Sequence, residues 1–110
     1  GRHHMIRRAF AVASLLAALV PLAPAAQPAD GAALLQQCRD EADACVAYLK
    51  GAVDRYRAED ADWFCPNNDG DPRELRRLYL EWASENPRDL EKPIVEAVKA
   101  MLADAFACSD

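Results

Sequence analysis

Cys38 and Cys45 lie seven residues apart inside one amphipathic run, and Cys65 and Cys108 follow further along the chain. These four thiols constrain the fold more than any other feature. Within the run Leu34, Cys38, Ala42, Cys45, Leu49, Ala52 and Tyr56 recur at steps of four and three, and Leu35, Val46 and Val53 widen the stripe. Arg39, Asp40, Asp43, Lys50, Asp54 and Arg57 occupy the other side. That spacing predicts a long helix with both thiols on its buried face, or two helices in succession. In a continuous helix the two cysteines stand about 10 Å apart. A disulfide closes only within roughly 7 Å between Cα atoms. Each cysteine must then reach Cys65 or Cys108. From a helix end near Arg57, Cys45 lies about 18 Å back and Cys38 about 28 Å back. The connector to Cys65 reaches at most about 28 Å when stretched. The expected bridges are therefore Cys45–Cys65 and Cys38–Cys108, and a break in the helix would change these distances. Zinc ligands usually come in close pairs such as C-x-x-C, which the spacing here lacks, so bridges are expected and metal is not.

An oxidising destination fits the start of the chain. After Met5 come the basic "IRR", the apolar "AFAVASLLAALVPL" and the small-residue "APAAQPAD". This is the order of a secretory signal peptide, and Ala23 and Ala25 place cleavage after Ala25. The apolar run is shorter than a membrane span needs, and no basic residues close its far side. The expected organisation is a leader and signal peptide over residues 1–25, a flexible segment over 26–32 and a helical domain over 33–108. Cleavage leaves 85 residues, enough for a modest core in which two bridges matter greatly. The net charge of −5 becomes −8, because Arg2, Arg7 and Arg8 depart and all 18 acidic residues stay. Such a surface disfavours nucleic acid and anionic membranes and suits basic protein partners.

The remaining elements are also helical. Asp30 is placed to cap the first helix. Gly51 interrupts that pattern and implies either close approach of another backbone or a helix end. Residues 58–71 read as a connector, with Pro66, Asn67, Asn68 and Asp69-Gly70 as turn formers and Trp63 and Phe64 packing it down. Its acids do not match a calcium loop: with Gly70 at the sixth position, Cys65 would stand first. In "DPRELRRLYLEWASEN" Asp71 is the N-cap, Pro72 is at N1 and Glu74 is at N3. Leu75, Leu78, Tyr79 and Trp82 form its apolar face, and Asn86-Pro87 stops it. "RDLE" is a short turn. Pro93 opens a last helix whose apolar face is Ile94, Val95, Val98, Leu102, Ala105 and Phe106. With no strand pattern, the expected fold is all-α, a small disulfide-stapled bundle of three to four helices. Both histidines precede Met5, the cysteines are spoken for and no serine has a base nearby. No catalytic residue or cofactor is expected, and binding is the default role.

Four stretches resemble a known family in order and spacing. They are "CVAYLKGAVD", "FCPNN", "RRLYLEWASENP" and "KPIVEAVKAMLADAFAC". Together they are similar to the Rap/Tai family of type VI secretion amidase immunity proteins. The matching positions are Cys45, Tyr48, Gly51, Asp54, Cys65, Pro66, Asn86, Pro87, Phe106 and Cys108. Three departures are the adjacency of Cys65 and Pro66, Ala107 where the family usually has proline, and a short interval from Cys38 to Cys45. The resemblance implies a periplasmic HdeA-like helical protein that binds and inhibits a secreted peptidoglycan amidase, with a tendency to form homodimers. The connector would carry the contact, and Trp63, Asn67, Asn68 and Asp69 are its candidate residues. For each of these the competing reading is packing or turn formation. Two other readings of the whole chain are a periplasmic acid-stress holdase of the HdeA type and a small envelope protein without an amidase partner.

Overall fold

The computed structural model describes residues 27–66 and 71–109, so the expected signal peptide and the residues Asn67, Asn68 and Asp69 lie outside them. Asp30 sits in extended backbone, and its carboxylate accepts the Ala33 N–H at 2.8 Å. This cap satisfies one orphan donor and starts α1 (Gly31–Asp40). Then follow α2 (Ala42–Ala58), α3 (Arg73–Glu85), a 3-10 turn (Pro87–Glu91) and α4 (Ile94–Ala105). The described residues hold no strand, and the fold is an all-α bundle stapled by two disulfides. No helix among them is long and apolar enough to cross a membrane.

The amphipathic run is broken at Glu41, whose φ of −134° and ψ of 72° are not helical. The break reverses the disulfide assignment. The chain folds back on itself between the two helices, and the Cys38 and Cys45 Cα atoms stand 4.7 Å apart, bonded to each other. Cys65 pairs with Cys108 across 43 residues. The expected Cys45–Cys65 and Cys38–Cys108 bridges are therefore wrong, because they assumed an unbroken helix and its 1.5 Å rise per residue. The stripe survives the break, since α1 and α2 turn the same kind of face to one core. Leu34, Cys38, Cys45, Leu49, Ala52 and Tyr56 are buried, and Ala42 at the start of α2 is exposed.

Ending a helix leaves carbonyls without partners. Here the Glu41 N–H takes the Gln37 carbonyl at 2.7 Å, and Arg76 of α3 donates its Nε to the Cys38 carbonyl at 2.6 Å. Arg76 thereby ties the hinge to the third helix.

Gly51 does not mark a close approach or a helix end. It lies exposed in the middle of α2, with open space where a Cβ would stand. The close approach is at Gly31 instead. A Cβ there would come within 2.9 Å of the Ala97 Cβ and 3.0 Å of the Leu90 Cα. Residues 26–32, expected to be flexible, include this buried glycine and the start of α1. The Gly31 N–H bonds the Lys92 carbonyl, and the Ile94 N–H bonds the Ala29 carbonyl, both at 3.0 Å. Tyr79 completes the latch. It is fully buried, and its hydroxyl donates to the Gly31 carbonyl at 2.8 Å. Burial, with the nearby Asp30 carboxylate adding, pushes its pKa well above the usual phenol value.

The third helix begins much as its sequence indicates. The Asp71 carboxylate accepts the Arg73 N–H at 2.9 Å, with Pro72 in helical backbone behind it. Glu74 does not close a capping box: its carboxylate is held by Arg77 at 2.7 Å. Asn86 leaves helical backbone and donates its side-chain amide to the Trp82 carbonyl, and Pro87 opens the 3-10 turn. In α4 the buried face is Ala97, Val98, Met101 and Leu102, whereas Val95 is 48% exposed. The apolar stripe is thus rotated slightly from the expected one.

Candidate functional site

The connector takes its course from the end of α2. Asp60 has φ 54°, in the left-handed region, which is uncommon for a residue with a side chain. Its N–H bonds the Arg57 carbonyl, and the Ala61 N–H reaches back to the Tyr56 carbonyl. This pair of bonds is a Schellman ending, with aspartate where glycine is usual. It turns the chain back so that Trp63 and Phe64 meet Tyr56. The Trp63 ring packs edge-on against Tyr56 at 4.8 Å, and Phe64 packs edge-on against Phe106 at 5.6 Å. Phe64 is buried and Trp63 is half-buried, with Lys99 Nζ 5.0 Å from its ring centre. Such contacts add roughly 0.5–1.5 kcal/mol each beyond simple burial. The connector is held down by its own aromatics.

Beyond Phe64 the Cys65 N–H bonds the Phe106 carbonyl at 2.9 Å, and the Cys65–Cys108 bridge locks the same crossing. The bridge stands beside a groove of about 490 Å³. Val53, Leu75, Leu78 and Phe106 supply its apolar lining, with Pro66 and Pro72 at the connector side. Lys50, Asp54, Arg57, Asp71 and Glu74 supply its charges. Several of these are already paired with near neighbours in the chain. Lys50 meets Asp54 at 2.9 Å, Asp71 meets Arg73 at 2.7 Å and Glu74 meets Arg77 at 2.7 Å. Hydrogen bonds from Arg73 hold the Asp71 carboxyl below the usual carboxylate range. All three pairs are exposed, so solvent screens them and a partner's charges can compete for them. An apolar floor inside a ring of exchangeable charges suits protein recognition, with a core excluding water and a polar rim.

The structure gathers some of the sequence-derived positions here and scatters others. Asp54, Pro66 and Phe106 line the groove. Gly51 follows Lys50 in α2 and is exposed, but is not among the residues that line the groove. Tyr48 is half-buried against the core, and burial raises its pKa despite the opposing effect of Arg55. Pro87 stands apart, at the start of the 3-10 turn. Trp63 is committed to the aromatic stack rather than to the groove. Lys50, Leu75 and Leu78 were not singled out as contact residues, because helical spacing assigns a leucine to a core without saying how well that core is covered. Among the described residues no group of His, Cys, Asp or Glu is placed to hold a metal ion.

Comparison with known proteins gives one positive result. No curated protein and no solved structure matches the chain. A family model described as Rap1a immunity proteins matches residues 30–108, from the Asp30 cap to the last cysteine of the clamp. The chain belongs to the Rap1a immunity protein family and is an immunity protein whose role is to bind a secreted effector.

Proposed function

We propose that this protein acts in the periplasm, where it binds and inhibits a peptidoglycan amidase delivered by a type VI secretion system. The observation that carries the reading is the family match across the whole disulfide-stapled body. The resemblance of "CVAYLKGAVD", "FCPNN" and "RRLYLEWASENP" to amidase immunity proteins supplies the class of effector. Export through the leader and two disulfides suit a compartment outside the cytosol. Inhibition by occlusion requires no chemistry from the inhibitor. It requires a surface that holds its shape, so that little ordering entropy is lost on contact. Residues 61–66 of the connector and the neighbouring groove meet that requirement, because aromatic stacking and a covalent bridge hold them from two sides. Acidic groups at the rim favour a basic rim on the amidase and would speed encounter at low salt.

The test is a binding and cleavage assay with the amidase encoded beside the gene. The oxidised protein is expected to form a stoichiometric complex and abolish peptidoglycan cleavage. Gly51→Tyr provides a probe of the face, since open space at Gly51 lets the fold accept a large side chain. This variant is expected to melt within a few degrees of the parent and to bind more weakly by about tenfold or more. Full amidase activity in the presence of excess parent protein would retire the proposal for that enzyme.

A further inference from the structure

The two disulfides differ in the access they give to a thiol. Cys38 and Cys45 are both 0% exposed and belong to the main core cluster. A nucleophile must approach a disulfide sulfur directly, and here every approach is filled by packed side chains. Cys65 and Cys108 are both exposed. Cys108 lies past the end of α4, on a segment whose neighbours Ala107 and Ser109 are exposed as well. What this second bridge holds is also distinct. Pro66, next to Cys65, and Phe106, two residues before Cys108, both line the groove.

We infer that Cys65–Cys108 is a thiol–disulfide exchange site, opened selectively by a small thiol or a dithiol oxidoreductase, and that its opening loosens the groove while the core stays folded. The partner-binding consequence rests on the function proposed above; the exchange itself does not. A thiolate attacks Cys108 Sγ, the Sγ–Sγ bond breaks, and Cys65 leaves as a thiolate that takes up a proton. A second thiol then attacks the mixed disulfide and releases Cys108 as a thiol. Two electrons enter the protein, and the reductant leaves as its own disulfide. Afterwards the Cys65–Phe106 backbone bond and the Phe64–Phe106 ring contact still join the connector to the end of α4. They are non-covalent, and although Phe64 is buried, Phe106 is only half-buried and Cys65 is exposed, so the crossing opens locally on a short timescale. One wall of the groove then moves, and the face loses its preorganised shape.

The experiment uses the oxidised full protein exposed to millimolar dithiothreitol, with timed alkylation of released thiols and peptide mapping. Cys65 and Cys108 are expected to be labelled about tenfold or more faster than Cys38 and Cys45, because exchange follows access. Helical circular dichroism is expected to persist at that stage, while hydrogen exchange rises over residues 61–66 and 103–109. Labelling of Cys38 and Cys45 at an equal or greater rate would overturn the proposal. So would loss of the helical signal together with the first two thiols. Binding is then compared between the oxidised parent and the Cys65→Ser, Cys108→Ser double variant, using the amidase as probe. Weakening of about tenfold supports gating of the face, and equal affinity removes the gating. If the oxidised parent itself does not bind, the proposed function falls, and the mapping still decides the exchange site.

Discussion

The molecule is stapled at two places, and the two staples work by different physics. Cys38–Cys45 closes a loop of 7 residues inside the core, whereas Cys65–Cys108 closes one of 43 at the surface. Loop-closure entropy alone favours the second, at about 4 kcal/mol against about 2.5 kcal/mol for the first. Burial works the other way. The inner sulfurs fill core volume and anchor a hinge whose freed carbonyl is taken by Arg76. The outer sulfurs fill no core volume and hold only the connector to the end of α4. The comparison teaches that the same covalent bond serves as core packing in one place and as a surface clamp in the other.

The largest expected effect tests that ranking directly. Cys38→Ser with Cys45→Ser removes the short loop and buries two hydroxyls without arranged partners, so it is expected to cost about 5 kcal/mol. Cys65→Ser with Cys108→Ser is expected to cost no more than about 4 kcal/mol, since its hydroxyls remain in water. Urea melts of both double variants decide the order, and a greater loss for the outer pair would reverse the comparison.

The two described glycines sharpen it next. Gly31→Ala drives a Cβ into Ala97 and the Leu90 backbone at the latched end of the core, at an expected cost of about 2–3 kcal/mol. Gly51→Ala meets nothing on the exposed flank of α2 and is expected to gain about 1 kcal/mol from helix propensity. Thermal melts of the pair should therefore move in opposite directions.

Smaller again is Arg76→Met, which retains most of the apolar stem but leaves the Cys38 carbonyl at the hinge unpaired. The expected loss is about 2 kcal/mol by denaturant titration. At the outer end Asp60→Gly relieves a left-handed backbone held by a residue with a Cβ, and a gain of about 0.5–1 kcal/mol is expected. A loss there would mean that the Asp60 side chain contributes something its backbone conformation does not reveal.

How much of this could be read beforehand depended on whether a feature was local. The Asp30 cap, the Asp71 carboxylate on the Arg73 N–H ahead of α3 and the stop at Asn86-Pro87 are short-range, and each appears where its residues indicate. Two helices in succession was one of the two readings of the amphipathic run, but the position of the break at Glu41 was not legible. Residues 39–43 contain neither glycine nor proline, and the apolar stripe resumes in phase because both helices face one core. Missing that break displaced the whole disulfide assignment. Gly31 and Gly51 exchanged roles for a related reason: how closely a backbone is approached depends on distant residues such as Leu90 and Ala97. The groove was half legible. Asp54, Pro66 and Phe106 were marked by family resemblance, whereas Lys50 and Leu78 depended on how α2 and α3 lie against the end of α4.

The connectivity has a consequence for how the protein matures. Each cysteine is joined to its immediate neighbour in chain order, the first to the second and the third to the fourth. The inner loop closes before the residues of the outer one begin. A polypeptide threaded from its N-terminus into an oxidising space would therefore offer the oxidase one correct pair at a time, and no reshuffling catalyst would be required.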